Sequence, residues 1–96
     1  MERLRVAAVQ AAPVWMDRAG GIAKVCRLIG EASRGGAQVV AFSETFVPGY
    51  PWWTSADRLD LQKLDVVTAR QSTYLRNGVD LARGDLAPVV EAARAA

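Results

Sequence analysis

Ninety-six residues, 51% of them hydrophobic and 23% charged, make one small globular unit or a piece of a larger one and exclude a disordered chain. The net charge of +2 is spread evenly, with six basic and four acidic residues through Trp53 and six of each after it, so no basic stripe for nucleic acid emerges. There is no histidine, and the single Cys26 excludes an internal disulfide and fits a reducing, cytoplasmic setting.

The opening Met1-Glu2-Arg3-Leu4-Arg5 lacks the long apolar core of a secretory leader, and no later run approaches the ~18 apolar residues of a membrane span. Residues 4–10 read as a strand, closed by Ala11-Ala12-Pro13. The small Ala7 and Ala8 suit a strand covered on both faces. Asp17 is placed to cap the next helix, although Gly20-Gly21 weakens its first turn. Ile22, Val25, Cys26, Ile29 and Ala32 recur at i, i+3, i+4, i+7, one helical face, and Gly35-Gly36 ends the pattern. Residues 37–42 are an almost continuous apolar run, a second buried strand. Strand, helix, strand at this spacing predicts a βαβ unit with parallel strands.

The second strand pattern runs into Phe42-Ser43-Glu44 and then into the fixed turn Pro48-Gly49-Tyr50-Pro51. An acid at the carboxyl end of a buried strand is how α/β enzymes present a catalytic group. An apolar surround there would suit Glu44 to proton transfer near neutral pH. By position alone, Glu44 reads first as a structural carboxylate that caps the turn or pairs with an arginine, since isolated acids are usually structural. Thr54-Ser55-Ala56-Asp57 resembles a capping box, and Leu61, Leu64, Val67, Gln71, Tyr74 and Leu75 give a weak helical face stopped by Asn77-Gly78. Residues 79–81 read as an extended link. A third helix is expected from Gly84-Asp85, with Leu86, Val89, Val90 and Ala93 on one face and Pro88 in its first turn. Cys26 reads as a small buried hydrophobe, Trp52 and Trp53 as packing residues, and Arg70, Arg76, Arg83 and Arg94 as solvated charges.

Four segments in order resemble the start of a nitrilase-superfamily carbon–nitrogen hydrolase. They are Val6-Ala7-Ala8-Val9-Gln10-Ala11-Ala12-Pro13; the stretch from Ile29 to Ala37; Phe42-Ser43-Glu44, where the family usually has Pro in place of Ser43; and Phe46-Val47-Pro48-Gly49-Tyr50-Pro51-Trp52-Trp53. The last looks like the nitrilase branch rather than the amidase branches. A weaker match follows at Tyr74-Leu75-Arg76-Asn77-Gly78-Val79.

The resemblance implies an α/β chain: an N-terminal βαβ plus two helices of an incomplete α-β-β-α sandwich, with residues 1–96 forming the N-terminal part of one hydrolase domain. It implies a Glu-Lys-Cys site that converts an organic nitrile to carboxylic acid and ammonia, with Glu44 as general base and no metal or organic cofactor. Tyr50, on the turn after Glu44, is a candidate for the substrate pocket. The family's lysine and cysteine motifs have no match here, since Lys24, Lys63 and Cys26 lie in helical patterns. The chain by itself is therefore expected to be inactive. Completed, it is expected to act on a small nitrile or amide and to form a homo-oligomer, with no nucleic-acid or membrane partner. The alternatives are an amidase or carbamoylase relative, and a non-catalytic αβ fragment that binds a partner subunit.

Overall fold

Val6–Ala8 (β1) and Val39–Ala41 (β2) pair in parallel in the computed structural model, which describes residues 2–54 and 64–96. Val6 lies opposite Val39, Ala7 opposite Val40 and Ala8 opposite Ala41. Hydrogen bonds from Gln38 N–H to Arg5 O and from Val9 N–H to Ala41 O, both 2.8 Å, flank this short ladder. The ladder is shorter than the apolar runs that predict it, because the runs continue into the loops at both ends.

The connection is the helix Arg18–Arg34 (α1), so the expected strand–helix–strand unit is present. Asp17 caps α1: its Oδ1 accepts the Gly20 N–H at 2.9 Å, a contact worth about 1 kcal/mol. At the other end the Gly36 N–H bonds Ser33 O at 2.8 Å and the Ala37 N–H bonds Ala32 O at 3.0 Å. This paired closure needs a left-handed residue just past the helix, and Gly36 supplies it at φ +86°.

Ile22, Val25 and Ile29 turn inward from α1 and are buried, while Cys26 and Ala32 on the same face are half-buried. Val25 and Ile29 meet Phe46 in the core, and Val89 and Ala92 pack on that cluster from the helix Ala87–Ala95 (α3). The face of α3 is thus Val89 and Ala92; Val90, expected inward, is half exposed.

The sheet departs from expectation. Val6 is 54% and Val39 45% exposed, so the described residues cover one face of the strands rather than both. The radius of gyration is 16.3 Å, against about 12.5 Å for a compact domain of this length. The three elements β1, α1 and β2 form a partial layer, with little enclosed core.

After a single 3-10 turn at Trp52–Thr54, the helix Leu64–Arg76 (α2) follows. Ser55 to Asp57 of the capping-box pattern, Leu61 and Lys63 lie outside the described residues. Along α2, Val67, Gln71 and Tyr74 form a half-buried stripe, whereas Leu64 and Leu75, expected on that face, are exposed. Trp53 is the reason: it is buried, donates its Nε1–H to Gln71 Oε1 at 3.2 Å, and stands edge-on to the Tyr74 ring. Asn77 closes the helix, with Nδ2 donating to Thr73 O at 3.0 Å.

Gly84 and Asp85 belong to a turn, not to the helix they were expected to start. The Asp85 carboxylate there accepts both Arg83 Nε–H at 2.9 Å and an Arg83 terminal N–H at 2.6 Å, and also the Asp80 N–H at 2.7 Å. Arg83 is therefore paired rather than simply solvated. Arg18 of α1 lies 3.6 Å from the same carboxylate and donates to Arg76 O and Gly78 O at 2.8 and 3.2 Å. One guanidinium thus joins the start of α1 to the end of α2 and to the turn before α3.

The Arg83 fork, then the Asp80 N–H, hold the Asp85 carboxyl well below the usual carboxylate range. A depressed folded-state value means that this contribution is complete above the unfolded value near pH 4 and is lost as pH falls toward the folded value. Thermal melts of the Asp85→Asn variant are expected to lie below those of the parent at pH 7, with the gap closing toward pH 2. A constant gap between pH 7 and pH 2 would show that the ion pair contributes nothing to folding.

Candidate active site

β2 leaves the sheet at Ala41, and the chain turns through residues 44–48. Phe46 is buried in the core and Phe42 packs beside it, ring centroids 5.4 Å apart. These two rings anchor the chain on either side of Glu44. The Phe46 N–H bonds Ser43 O at 3.2 Å, which makes residues 43–46 a β-turn with Glu44 and Thr45 at its centre. The Gly49 N–H then bonds Thr45 O at 2.9 Å.

Glu44 itself is exposed, and its carboxylate makes no hydrogen bond or ion pair with any described residue. The apolar surround expected from the strand pattern is therefore not formed, because the chain leaves the sheet before Glu44. The structural alternative, a carboxylate paired with an arginine, is likewise absent among the described residues. What remains is an acid at the carboxyl end of a parallel strand pair, held on a turn anchored by buried aromatic rings. In an open α/β sheet that edge is where ligand crevices form.

The turn is strained and braced. Thr45 has φ +56°, the left-handed region, which costs a β-branched residue about 1–2 kcal/mol. Its Oγ1–H donates to Glu44 O at 2.6 Å. Met16, in the loop after β1, also lies at φ +55° and donates its N–H to Pro48 O at 3.1 Å. That bond ties the two loops at the carboxyl ends of the strands together. Gly49, at φ +113°, faces the Trp15 ring so closely that a Cβ there would lie 2.6 Å from Cε3. Tyr50 follows, 59% exposed, with its hydroxyl unpartnered among the described residues.

The other nucleophile and cation candidates are not brought to Glu44. Lys24 Nζ donates to Ala12 O at 2.6 Å. Cys26 is half-buried on α1. Trp52 is 57% exposed, against 6% for Trp53, and Arg70 stacks over its ring at 5.4 Å. Arg70 is thus a cation–π partner rather than a free surface charge.

A cavity of about 640 Å³ opens between the Trp15 loop and α2, walled by Trp15, Met16, Trp52, Trp53 and Val66, with Asp65 and Arg70 beside them. It could take an apolar or aromatic group. Neither Glu44 nor Tyr50 is among its described lining residues. Trp15 and the Trp52-Trp53 pair were the available sequence signal for this cavity; Val66 carried none.

No helix among the described residues is long and apolar enough to cross a membrane. The family model for carbon-nitrogen hydrolases matches residues 5–90. A nitrilase of Bacillus sp. (strain OxB-1) is 59% identical over 51 residues, which cover 53% of this chain and 15% of the relative. An arylacetonitrilase of Aspergillus niger is 36% identical over 93 residues, 97% of this chain and 26% of the relative. A cyanide hydratase of Armillaria gallica is 53% identical over 51 residues, 53% of this chain and 14% of the relative. The chain thus spans roughly a quarter or less of the length of these curated relatives. No solved structure matches.

Proposed function

The chain belongs to the carbon–nitrogen hydrolase family, and from that premise we propose that it is the N-terminal segment of a nitrile hydrolase, with Glu44 as the general base. The observation that carries this reading is the place of Glu44: a carboxylate unpaired among the described residues, at the carboxyl end of a parallel strand pair and inside the span that matches the family.

In the Glu-Lys-Cys chemistry of such a site, Glu44 takes the proton of a cysteine thiol as the sulfur attacks the nitrile carbon. The thioimidate forms with charge building on nitrogen, which a lysine ammonium offsets. Glu44 passes that proton to the nitrogen, takes a proton from a first water that attacks the thioimidate carbon, and returns it as ammonia leaves a thioester. A second water, activated in the same way, releases the acid and the free thiol. Lys24 and Cys26 are both on α1, the first already bonded to a backbone carbonyl, so neither is assigned these roles. The catalytic lysine and cysteine belong to sequence beyond the segment described. The half-uncovered sheet fits completion of an α-β-β-α sandwich by further strands. Tyr50 is assigned to the pocket wall, next to the Glu44 turn. Neither a metal nor an organic cofactor enters this chemistry, and a cytoplasmic homo-oligomer is part of the same reading.

An amidase or carbamoylase activity is the nearest alternative. Full-length protein supplied with aliphatic and aryl nitriles, and with the matching amides, separates the two. Ammonia released from nitriles with the free acid as product supports the proposal. Turnover of amides alone would replace it with the amidase reading.

A further inference from the structure

Thr45 occupies a position that a β-branched residue disfavours. It is the third residue of the turn closed by the Phe46 N–H and Ser43 O, and its φ of +56° is a value for which such turns ordinarily use Gly or Asn. Glycine would adopt it without steric cost. What threonine brings that glycine cannot is the hydroxyl, whose Oγ1 lies 2.6 Å from Glu44 O and donates to it. That bond spans the peptide between Glu44 and Thr45. The ring it closes turns only about the Thr45 N–Cα and Cα–Cβ bonds, so it restrains the Thr45 φ and, through it, how the peptide that follows Glu44 sits on the turn.

The neighbours make this restraint matter. The two phenylalanine anchors hold the chain two residues before and two residues after Glu44, and the Phe46 N–H to Ser43 O bond closes the turn around the Glu44–Thr45 peptide. The Glu44 carboxylate has no hydrogen bond of its own among the described residues to set its aim. Its reach is therefore set by where the turn places its Cα, together with its own side-chain torsions. The bond from Gly49 N–H to Thr45 O holds the far side of the same residue.

We propose that Thr45 is a positioning residue for Glu44: its hydroxyl, bonded to Glu44 O on a left-handed backbone, aims the carboxylate at the reacting proton. This rests on the assignment of Glu44 as general base. It goes beyond that assignment by placing a second, non-reacting residue under the reaction rate.

The test uses full-length hydrolase with four variants. Thr45→Val keeps the branched shape and removes the hydroxyl. Thr45→Ser keeps the hydroxyl and removes the methyl. Thr45→Gly relieves the backbone and removes both. Glu44→Gln reports on the base itself. Misplacing a general base lowers kcat with KM held, and the loss expected for Thr45→Val and Thr45→Gly is about tenfold or more. Thr45→Ser is expected to stay within about threefold of the parent. Melting temperatures should not follow this order, because Thr45→Gly gains from relief of strain while it loses rate.

Equal kcat in Thr45→Val and Thr45→Ser, with Glu44→Gln inactive, would overturn the role of Thr45 and leave the base assignment standing. Turnover retained by Glu44→Gln would overturn both. Should Thr45→Gly fail to fold, the Val and Ser pair still decides, since both keep a side chain at the strained position.

Discussion

Glu44→Gln in the full-length hydrolase is expected to lower kcat by about 10²–10⁴-fold, the usual contribution of a positioned general base. Glutamine has nearly the shape of glutamate but cannot take a proton at neutral pH. The substitution should leave folding unchanged, because the Glu44 side chain is exposed and no described residue bonds its carboxylate. The expected result is therefore a separation: ammonia release from nitrile collapses while the melting curve superimposes on that of the parent. Glu44→Asp keeps the acid but shortens its reach by one methylene, and is expected to fall between the two. Undiminished turnover in Glu44→Gln would remove Glu44 from the chemistry. A parallel drop in melting temperature would instead return it to the structural reading, as a carboxylate that supports its turn.

The sequence was most informative where one interaction decides the local structure. Asp17 before an apolar periodic stretch and Gly35-Gly36 after it predicted both ends of α1, because a cap and a left-handed closure act within a few residues. The parallel pairing of β1 and β2 followed from the long helical crossover between them. Covering of the sheet was not legible. Val6 and Val39 read as buried residues, yet burial depends on what else packs on the strand, which a period of alternation cannot report.

The same distinction holds at the site. Glu44 stood out as a candidate because a strand pattern stops at it. Its exposure was missed because the end of β2 at Ala41 is set by hydrogen bonding, whereas the apolar run continues to Phe42. Thr45 carried no signal, since nothing in a sequence announces a left-handed backbone at a β-branched residue. The roles of Arg18, Arg83 and Arg70 were likewise hidden. Each depends on a partner brought near by the fold: a carboxylate shared by two guanidinium groups for Arg18 and Arg83, and an indole for Arg70.

The other large effect is expected at Gly49. Its φ of +113° lies where residues with a Cβ are strained, and a Cβ there would sit 2.6 Å from Cε3 and 2.8 Å from Cζ3 of Trp15. Two costs add in Gly49→Ala. The backbone cost is about 1 kcal/mol or more, and the steric cost is about 1–3 kcal/mol if the indole stays in place. Trp15 is 46% exposed, so the ring has room to swing away from the turn. If it does, the price is its packing on Gly49 and the shape of the wall it gives the neighbouring cavity. A double-mutant cycle separates the two terms. Trp15→Ala in the Gly49→Ala background should recover the steric part and leave the backbone part, so the double variant should melt higher than the sum of the single losses predicts. Because the Glu44 turn is tied to this region through Gly49 N–H and Thr45 O, full-length Gly49→Ala is also expected to lose kcat beyond its loss of folded protein. Strict additivity in the cycle would mean that Trp15 already moves freely, and that the backbone angle alone makes glycine necessary at this turn.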